Sequence, residues 1–252
     1  VIELDHVSKV YPLPRTRLFG ERPHVTAVND VSLTIHEGES VAIVGESGSG
    51  KTTLLRLMLA LSRATRGEVR FRGREVSQCE RTLRRNSGLV FQDPYSTLNP
   101  RRTIGQSIAE PLEAIGDRGN HREAVAEILT RMELPASAID RYPREFSGGQ
   151  RQRIAIARAL VHQPALLVGD EPVSAVDVLV RARIIQLLRD LREEMNLTLV
   201  TVTHDLAVVP KLADRVIVME EGQLVETGTT EQILADPQEP YTQKLMSALP
   251  RL

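Results

Sequence analysis

The sequence is poor in several things at once. It holds a single cysteine, Cys79, in 252 residues, no tryptophan, and aromatics at only 3%. A lone thiol excludes an internal disulfide and a multi-cysteine metal site. Neither sign of charge is in excess, since the formal net charge is −1. A chain whose main task is to neutralise nucleic-acid phosphates needs a basic surplus, so no nucleic-acid partner is expected. Long hydrophobic runs are missing as well. The longest, Leu54 to Leu61, is broken by Arg56 and falls far short of the ~20 residues that span a bilayer. No basic-then-apolar leader opens the chain, which starts at Val1. A cytoplasmic protein is expected, docked to a membrane, if at all, through a partner.

What is present reads as an α/β chain, long enough for one large domain or two small ones. "VIELDHV" alternates and predicts a half-buried strand, and "VSLTI" (Val31 to Ile35) predicts a second. Between them, Tyr11 to His24 carries three prolines and a glycine and predicts a loop. "SVAIVG" (Ser40 to Gly45) and "ALLVGDEP" (Ala165 to Pro172) are apolar runs suited to strands buried on both faces. "LTLVTVTHD" predicts another strand, and "DRVIVMEEGQLVETG" a hairpin turned at Glu221-Gly222. "KTTLLRLMLALS" predicts a helix. Helical stripes are predicted at Val125, Ile128, Leu129 and Met132, and at Val180, Ile184, Leu187, Leu188 and Leu191. Residues 93–161 read as mostly helical. Buried strands alternating with helices predict a mainly parallel sheet covered on both faces.

Chemistry concentrates in three places. "GESGSGKT" fits G-x-x-x-x-G-K-[ST] between a predicted strand and a predicted helix: Gly45, Glu46, Ser47, Gly48, Ser49, Gly50, Lys51, Thr52, with Thr53 behind. Phosphate oxygens are reached by backbone amides, and the glycines keep that approach bare. The helix start adds a positive dipole end. Lys51 is expected on the β/γ-phosphates and the Thr52 hydroxyl on Mg²⁺. "LLVGDEP" ends a strand in two carboxylates, where open α/β sheets place ligands. Asp170 is the expected Mg²⁺ partner, and Glu171 the group that polarises an attacking water. "FSGGQ" puts Ser147, Gly148, Gly149 and Gln150 at another bare helix start; capping accounts for the serine, less well for two adjacent glycines.

A phosphate loop, "SGGQ", a "DE" strand about twenty residues on and a lone histidine after a strand together resemble the ATP-binding subunit of an ABC transporter, over nearly the whole chain. The resemblance implies a P-loop NTPase with a RecA-like core sheet, an antiparallel β subdomain and a helical signature subdomain at about 93–161. It forms a single ABC ATPase domain over 1–252, with a tail from about 229. It further implies that Tyr11 stacks on adenine and that Gln92 touches Mg²⁺ or the attacking water. His204 contacts the γ-phosphate, and Asp177 closes the "SAVD" loop that crosses to a partner subunit. ATP and Mg²⁺ are the implied cofactors. Each ATP lies between the phosphate loop of one subunit and the "SGGQ" helix of a second ATPase, identical or paralogous.

"FQDPYSTLNPRRTIGQSIAEPL" and "EPYTQKLMSALP" resemble the oligopeptide, dipeptide and nickel importer branch, with Glu239 where that tail usually has His. This branch implies integral-membrane permease subunits, an extracytoplasmic binding protein acting indirectly, and a peripheral location on the cytoplasmic face of the plasma membrane. Peptide is the expected cargo, with nickel or another chelated metal as the alternative. A soluble, non-transport ABC ATPase is the remaining alternative. No iron–sulfur cluster is expected, because the tail has no cysteine. Phe146, Gly169 and Val176 depart from the common Leu, Ala and Leu; Gly169 and Val176 are expected to loosen local packing.

Overall fold

A computed structural model describes residues 1–13, 23–93, 97–174 and 176–247. These fall into two compact units. The first takes the described residues of Val1–His36, Val41–Glu80 and Val202–Leu252; the second takes those of Glu37–Ser40 and Arg81–Thr201.

In the first unit, β1 (Ile2–Pro12) lies between β2 (His24–Ile35) and β4 (Arg66–Phe71), antiparallel to both, with the short β5 (Arg74–Glu75) at the edge of β4. Tyr11 pairs with Val25 and Pro12 with His24, so both strands run further than alternation predicts. The segment 11–24, predicted as a loop, is thus strand at each end; its middle, 14–22, lies outside the described residues. Proline is tolerated at the far end of β1 because a strand terminus need not donate to the ladder. β3 (Ser40–Val44) pairs in parallel with β9 (Arg215–Glu220), which turns back antiparallel into β10 (Gln223–Thr229). That hairpin turns where predicted. Glu221 and Gly222 have φ of 46° and 82°, the two left-handed positions of a type I′ turn. After β3 comes α1 (Lys51–Met58), shorter than its apolar run suggests, and α7 (Val209–Leu212), α8 (Thr230–Ala235) and α9 (Pro240–Ser247) complete the unit. Ala42, Val44, Leu206, Val209, Val216, Val218 and Ile233 close into one buried cluster.

The second unit sets β6 (Ser87–Val90) parallel to β7 (Leu166–Asp170), with β8 (Thr198–Val202) on the other side of β7. Around them stand α3 (Ile104–Ala114), α4 (His121–Arg131), α5 (Gly148–Leu160) and α6 (Val178–Met195). Caps explain where these helices begin. Thr103 and Gln106 form a capping box for α3, and Asn120 accepts the Glu123 amide at the head of α4. The stripe Val125, Ile128, Leu129 and Met132 is buried as predicted. On α6, Ile184, Leu188 and Leu191 are buried together with Ile185, while Val180 and Leu187 are half-buried. Each fully buried aliphatic side chain contributes about 1.5–3 kcal/mol of transfer free energy. Residues 74–90, unassigned by periodicity, hold β5, α2 (Val76–Asn86) and β6; α2 breaks helical geometry at Cys79, which blurs its pattern.

His162, just beyond α5, shows how burial couples this unit to pH. Its Nε2 lies 3.1 Å from the Ser87 carbonyl oxygen, and burial holds its pKa below the ordinary histidine value despite that contact. The folded state therefore favours the neutral ring. In the unfolded chain the ring protonates near pH ~6.5. Its contribution to stability is full above that value and is lost as pH falls through the depressed folded value. Urea midpoints are expected to decline below about pH 6.5, and His162→Gln is expected to flatten that decline.

Candidate functional site

The phosphate loop runs from the end of β3 into α1, and its three glycines do different things. A Cβ on Gly45 would lie 2.2 Å from the Met219 carbonyl oxygen, and one on Gly50 2.2 Å from that of Ala27. Both positions are glycine because neighbouring backbone packs against them. Gly48, at φ 86°, has nothing within 4 Å of the corresponding point, so it is the glycine that keeps the cradle open. No side chain caps α1, which starts from Gly50 at φ 101°. A helix start without a side-chain cap is the kind of terminus that suits an anion.

Lys51 is buried, at 8% exposure. Its ammonium donates to the Gly45 oxygen at 2.8 Å, the Glu46 oxygen at 2.6 Å and Ser49 Oγ at 3.2 Å. A buried ammonium needs such partners. Thr52 is exposed beside it, and Thr53 follows half-buried. His204 belongs to the same unit. The Thr203 amide donates to the Ile43 oxygen at 3.1 Å, which holds His204 beside the end of β3 that leads into the loop. Tyr11 is on β1, with Lys9 Nζ 5.0 Å from its ring centroid; its strand partner Val25 is two residues from Ala27, whose oxygen abuts Gly50.

The remaining predicted residues gather in the second unit. The β6–β7 pairing sets Val90 opposite Gly169, so exposed Gln92 and half-buried Asp170 and Glu171 leave the same sheet edge. Glu171 adopts φ 53°, and its carbonyl oxygen accepts from the Ser174 amide at 3.2 Å and the Ser174 hydroxyl at 3.1 Å. Gly169 does not loosen this turn. A Cβ there would sit 2.7 Å from the Pro172 ring, so the glycine is closely covered. At the head of α5, the Gln150 amide donates to Ser147 Oγ and the Ser147 amide to Gln150 Oε1, a complete capping box. Capping thus accounts for Ser147 and Gln150, more than the sequence suggests. Gly149 is packed against Val180, with 2.3 Å left for a Cβ, whereas Gly148 is open. Asp177 caps α6 through the Val180 amide at 3.0 Å. Phe146 is buried beneath the Arg141 guanidinium, 4.4 Å from its ring centroid.

One residue escapes sequence reasoning here. Gln152, buried on α5, donates through Nε2 to the Pro172 oxygen at 2.5 Å, tying the "SGGQ" helix to the turn that carries Glu171. The available signal is a polar residue in line with buried Ile156 and Ala159.

An uncapped helix start with an open glycine, a buried lysine resting on loop carbonyls, and a carboxylate pair at a strand end define a phosphate-loop nucleotide-binding protein. The ABC transporter family matches residues 28–174, and the oligopeptide/dipeptide transporter C-terminal region matches 225–252. The dipeptide transport ATP-binding protein DppF of Haemophilus influenzae is 46% identical over 98% of this chain and 77% of its own length. The oligopeptide transport ATP-binding protein AppF of Bacillus subtilis is 43% identical over 99% of this chain and 78% of its own. The dimeric, post-hydrolysis structure of the ATP-binding cassette MJ0796 with ADP and Pi superposes with a TM-score of 0.78 at 31% identity, covering 91% of this chain and 99% of that one. The chain belongs to the ABC transporter ATP-binding family.

The glycines separate by experiment. Gly45→Ala is expected to cost about 2 kcal/mol or more in urea denaturation, because backbone must move. Gly48→Ala is expected to cost about 1 kcal/mol of backbone strain and leave the fold intact, while weakening MgATP binding in calorimetry.

Proposed function

We propose that the chain is the ATP-hydrolysing subunit of an importer, powering uptake of peptides through a separate membrane permease. The observation that carries this reading is the phosphate loop itself: open at Gly48, uncapped at α1, with Lys51 held among its carbonyls. The names of DppF and AppF favour peptide cargo over a chelated metal.

In this reading the loop amides from Ser47 to Thr53 bind the phosphates, and Lys51 moves its ammonium from the loop carbonyls to the β/γ-phosphates. Tyr11 stacks on adenine, and its Lys9 neighbour adds positive charge on that side. Thr52 and Asp170 are of the right chemistry to hold Mg²⁺, with Gln92 beside Asp170 on the same edge; the bound ion offsets phosphate charge. Glu171 takes a proton from the attacking water, and His204 contacts the γ-phosphate. Ser147, Gly148, Gly149, Gln150 and Asp177 cap the nucleotide of a second cassette, as a dimer requires. ATP closes that dimer and hydrolysis opens it, a population shift passed on to the permease. Among the described residues no helix is long and apolar enough to cross a membrane. In this reading the subunit binds its permease peripherally, on the cytoplasmic face. A binding protein delivers peptide on the far side.

Glu171→Gln is expected to keep MgATP affinity, accumulate an ATP-bound dimer in size-exclusion chromatography, and lower kcat by about 10²-fold or more. Full turnover in that variant would remove Glu171 from the base role. Lys51→Ala is expected to weaken MgATP binding by about tenfold or more, and unchanged affinity by calorimetry would count against the loop reading.

A further inference from the structure

The tail helix α9 reaches the phosphate loop. The Tyr241 hydroxyl accepts the amide hydrogen of Glu46 at 2.9 Å. Lys244, one turn on, pairs with the Glu46 carboxylate at 3.7 Å. The helix is held from both sides. Tyr241, Leu245 and Met246 pack on the buried cluster around Val44, Val216 and Ile233. Where the chain enters α9, the Gln238 and Glu239 amides donate to the two carboxylate oxygens of Glu226 on β10, at 2.8 and 3.1 Å. All of these residues lie in the first unit.

The contact falls on a particular peptide group. The amide that Tyr241 accepts and one of the two carbonyls on which Lys51 rests, Gly45 O at 2.8 Å, belong to the same Gly45–Glu46 peptide plane. One end of that plane is held by the tail and the other by the lysine that serves the phosphates. A peptide group hydrogen-bonded at both ends is polarised and cannot rotate without losing both bonds. We propose that Tyr241 is a positioning residue for nucleotide binding: its hydroxyl sets the plane of the Gly45–Glu46 peptide, and through it the resting place of Lys51. The Lys244–Glu46 pair adds little, because both side chains are mostly exposed, at 75% and 62%. The segment matched to the oligopeptide/dipeptide transporter C-terminal region thereby acquires a role in the ATP site of its own chain. This rests on the nucleotide-binding reading of the loop.

The test uses the full-length protein and Tyr241→Phe, which removes the hydroxyl and keeps the ring packed. Hydrogen exchange without nucleotide reads the contact directly and does not depend on the ATP reading. The Glu46 amide is expected to exchange about three- to tenfold faster in the variant, with α9 and the melting temperature unchanged. MgATP affinity by calorimetry is expected to fall by about three- to tenfold, with kcat at saturation unchanged. Lys244→Ala is expected to stay within about twofold of wild type. Wild-type affinity in Tyr241→Phe would overturn the proposal. So would a loss of affinity accompanied by lowered melting temperature and faster exchange throughout α9, which would make the tail simple packing. Failure of the wild-type protein to bind MgATP would instead remove the nucleotide reading, and the assignment of Tyr241 with it.

Discussion

Close approach of backbone to backbone at the phosphate loop is the constraint on which the rest depends. The carbonyls of Ala27 and Met219 press against Gly50 and Gly45 so closely that no side chain fits. Those contacts come from β2 and from the end of β9, elements of two different strand pairings in one unit. The loop is therefore clamped from outside before any ligand arrives. A clamped loop presents its amides without paying an ordering cost at binding, which is the physical content of preorganisation. Lys51 contributes in the same way. Its ammonium is desolvated but satisfied by loop oxygens, so the charge is stored at the site and not expelled to solvent.

The two glycine-rich helix starts share a division of labour. In each, some glycines are glycine because neighbours crowd them, and one is glycine with open space around it. Gly45, Gly50 and Gly149 are crowded; Gly48 and Gly148 are open. Crowding fixes the backbone path, and openness leaves the surface that an anion approaches. The capping chemistry differs. Ser147 and Gln150 occupy one another's donors at the head of α5, whereas no side chain caps α1.

Much of this was legible in the residues. Strand–loop–helix order, the α4 stripe, the Glu221-Gly222 turn and the identity of the loop follow from period, turn chemistry and one motif. The missed parts have physical reasons. β6 is four residues long, too short for alternation to register, and α2 is interrupted at Cys79. The extension of β1 and β2 is set by pairing between Tyr11 and Val25, a tertiary effect that overrides the local proline signal. At the site, residue types pointed to Lys51, Asp170 and Glu171, but not to which glycines pack and which stay bare. Gln152 and Tyr241 were invisible as partners because each acts across long sequence separation on a backbone atom, which no pattern of side chains records.

Glu171 joins the fold to its proposed chemistry. A left-handed backbone costs a non-glycine residue about 1 kcal/mol, and glycine or asparagine would bear it more easily. The surroundings hold the turn regardless: Ser174 grips the Glu171 carbonyl twice, the Pro172 ring fills the space a Cβ at Gly169 would need, and Gln152 anchors the Pro172 oxygen from α5. A strained residue held by three neighbours is costly to keep for packing alone, since Glu171 Oε2 is itself buried and taking a carboxylate oxygen out of water costs solvation. The cost is consistent with a carboxylate that must leave the strand in a direction different from Asp170, one acid for the metal and the next for water. Gly169, a departure from the usual alanine, then reads as an accommodation of that turn: without a Cβ there, the proline ring closes over β7 and covers the backbone that leads into Glu171.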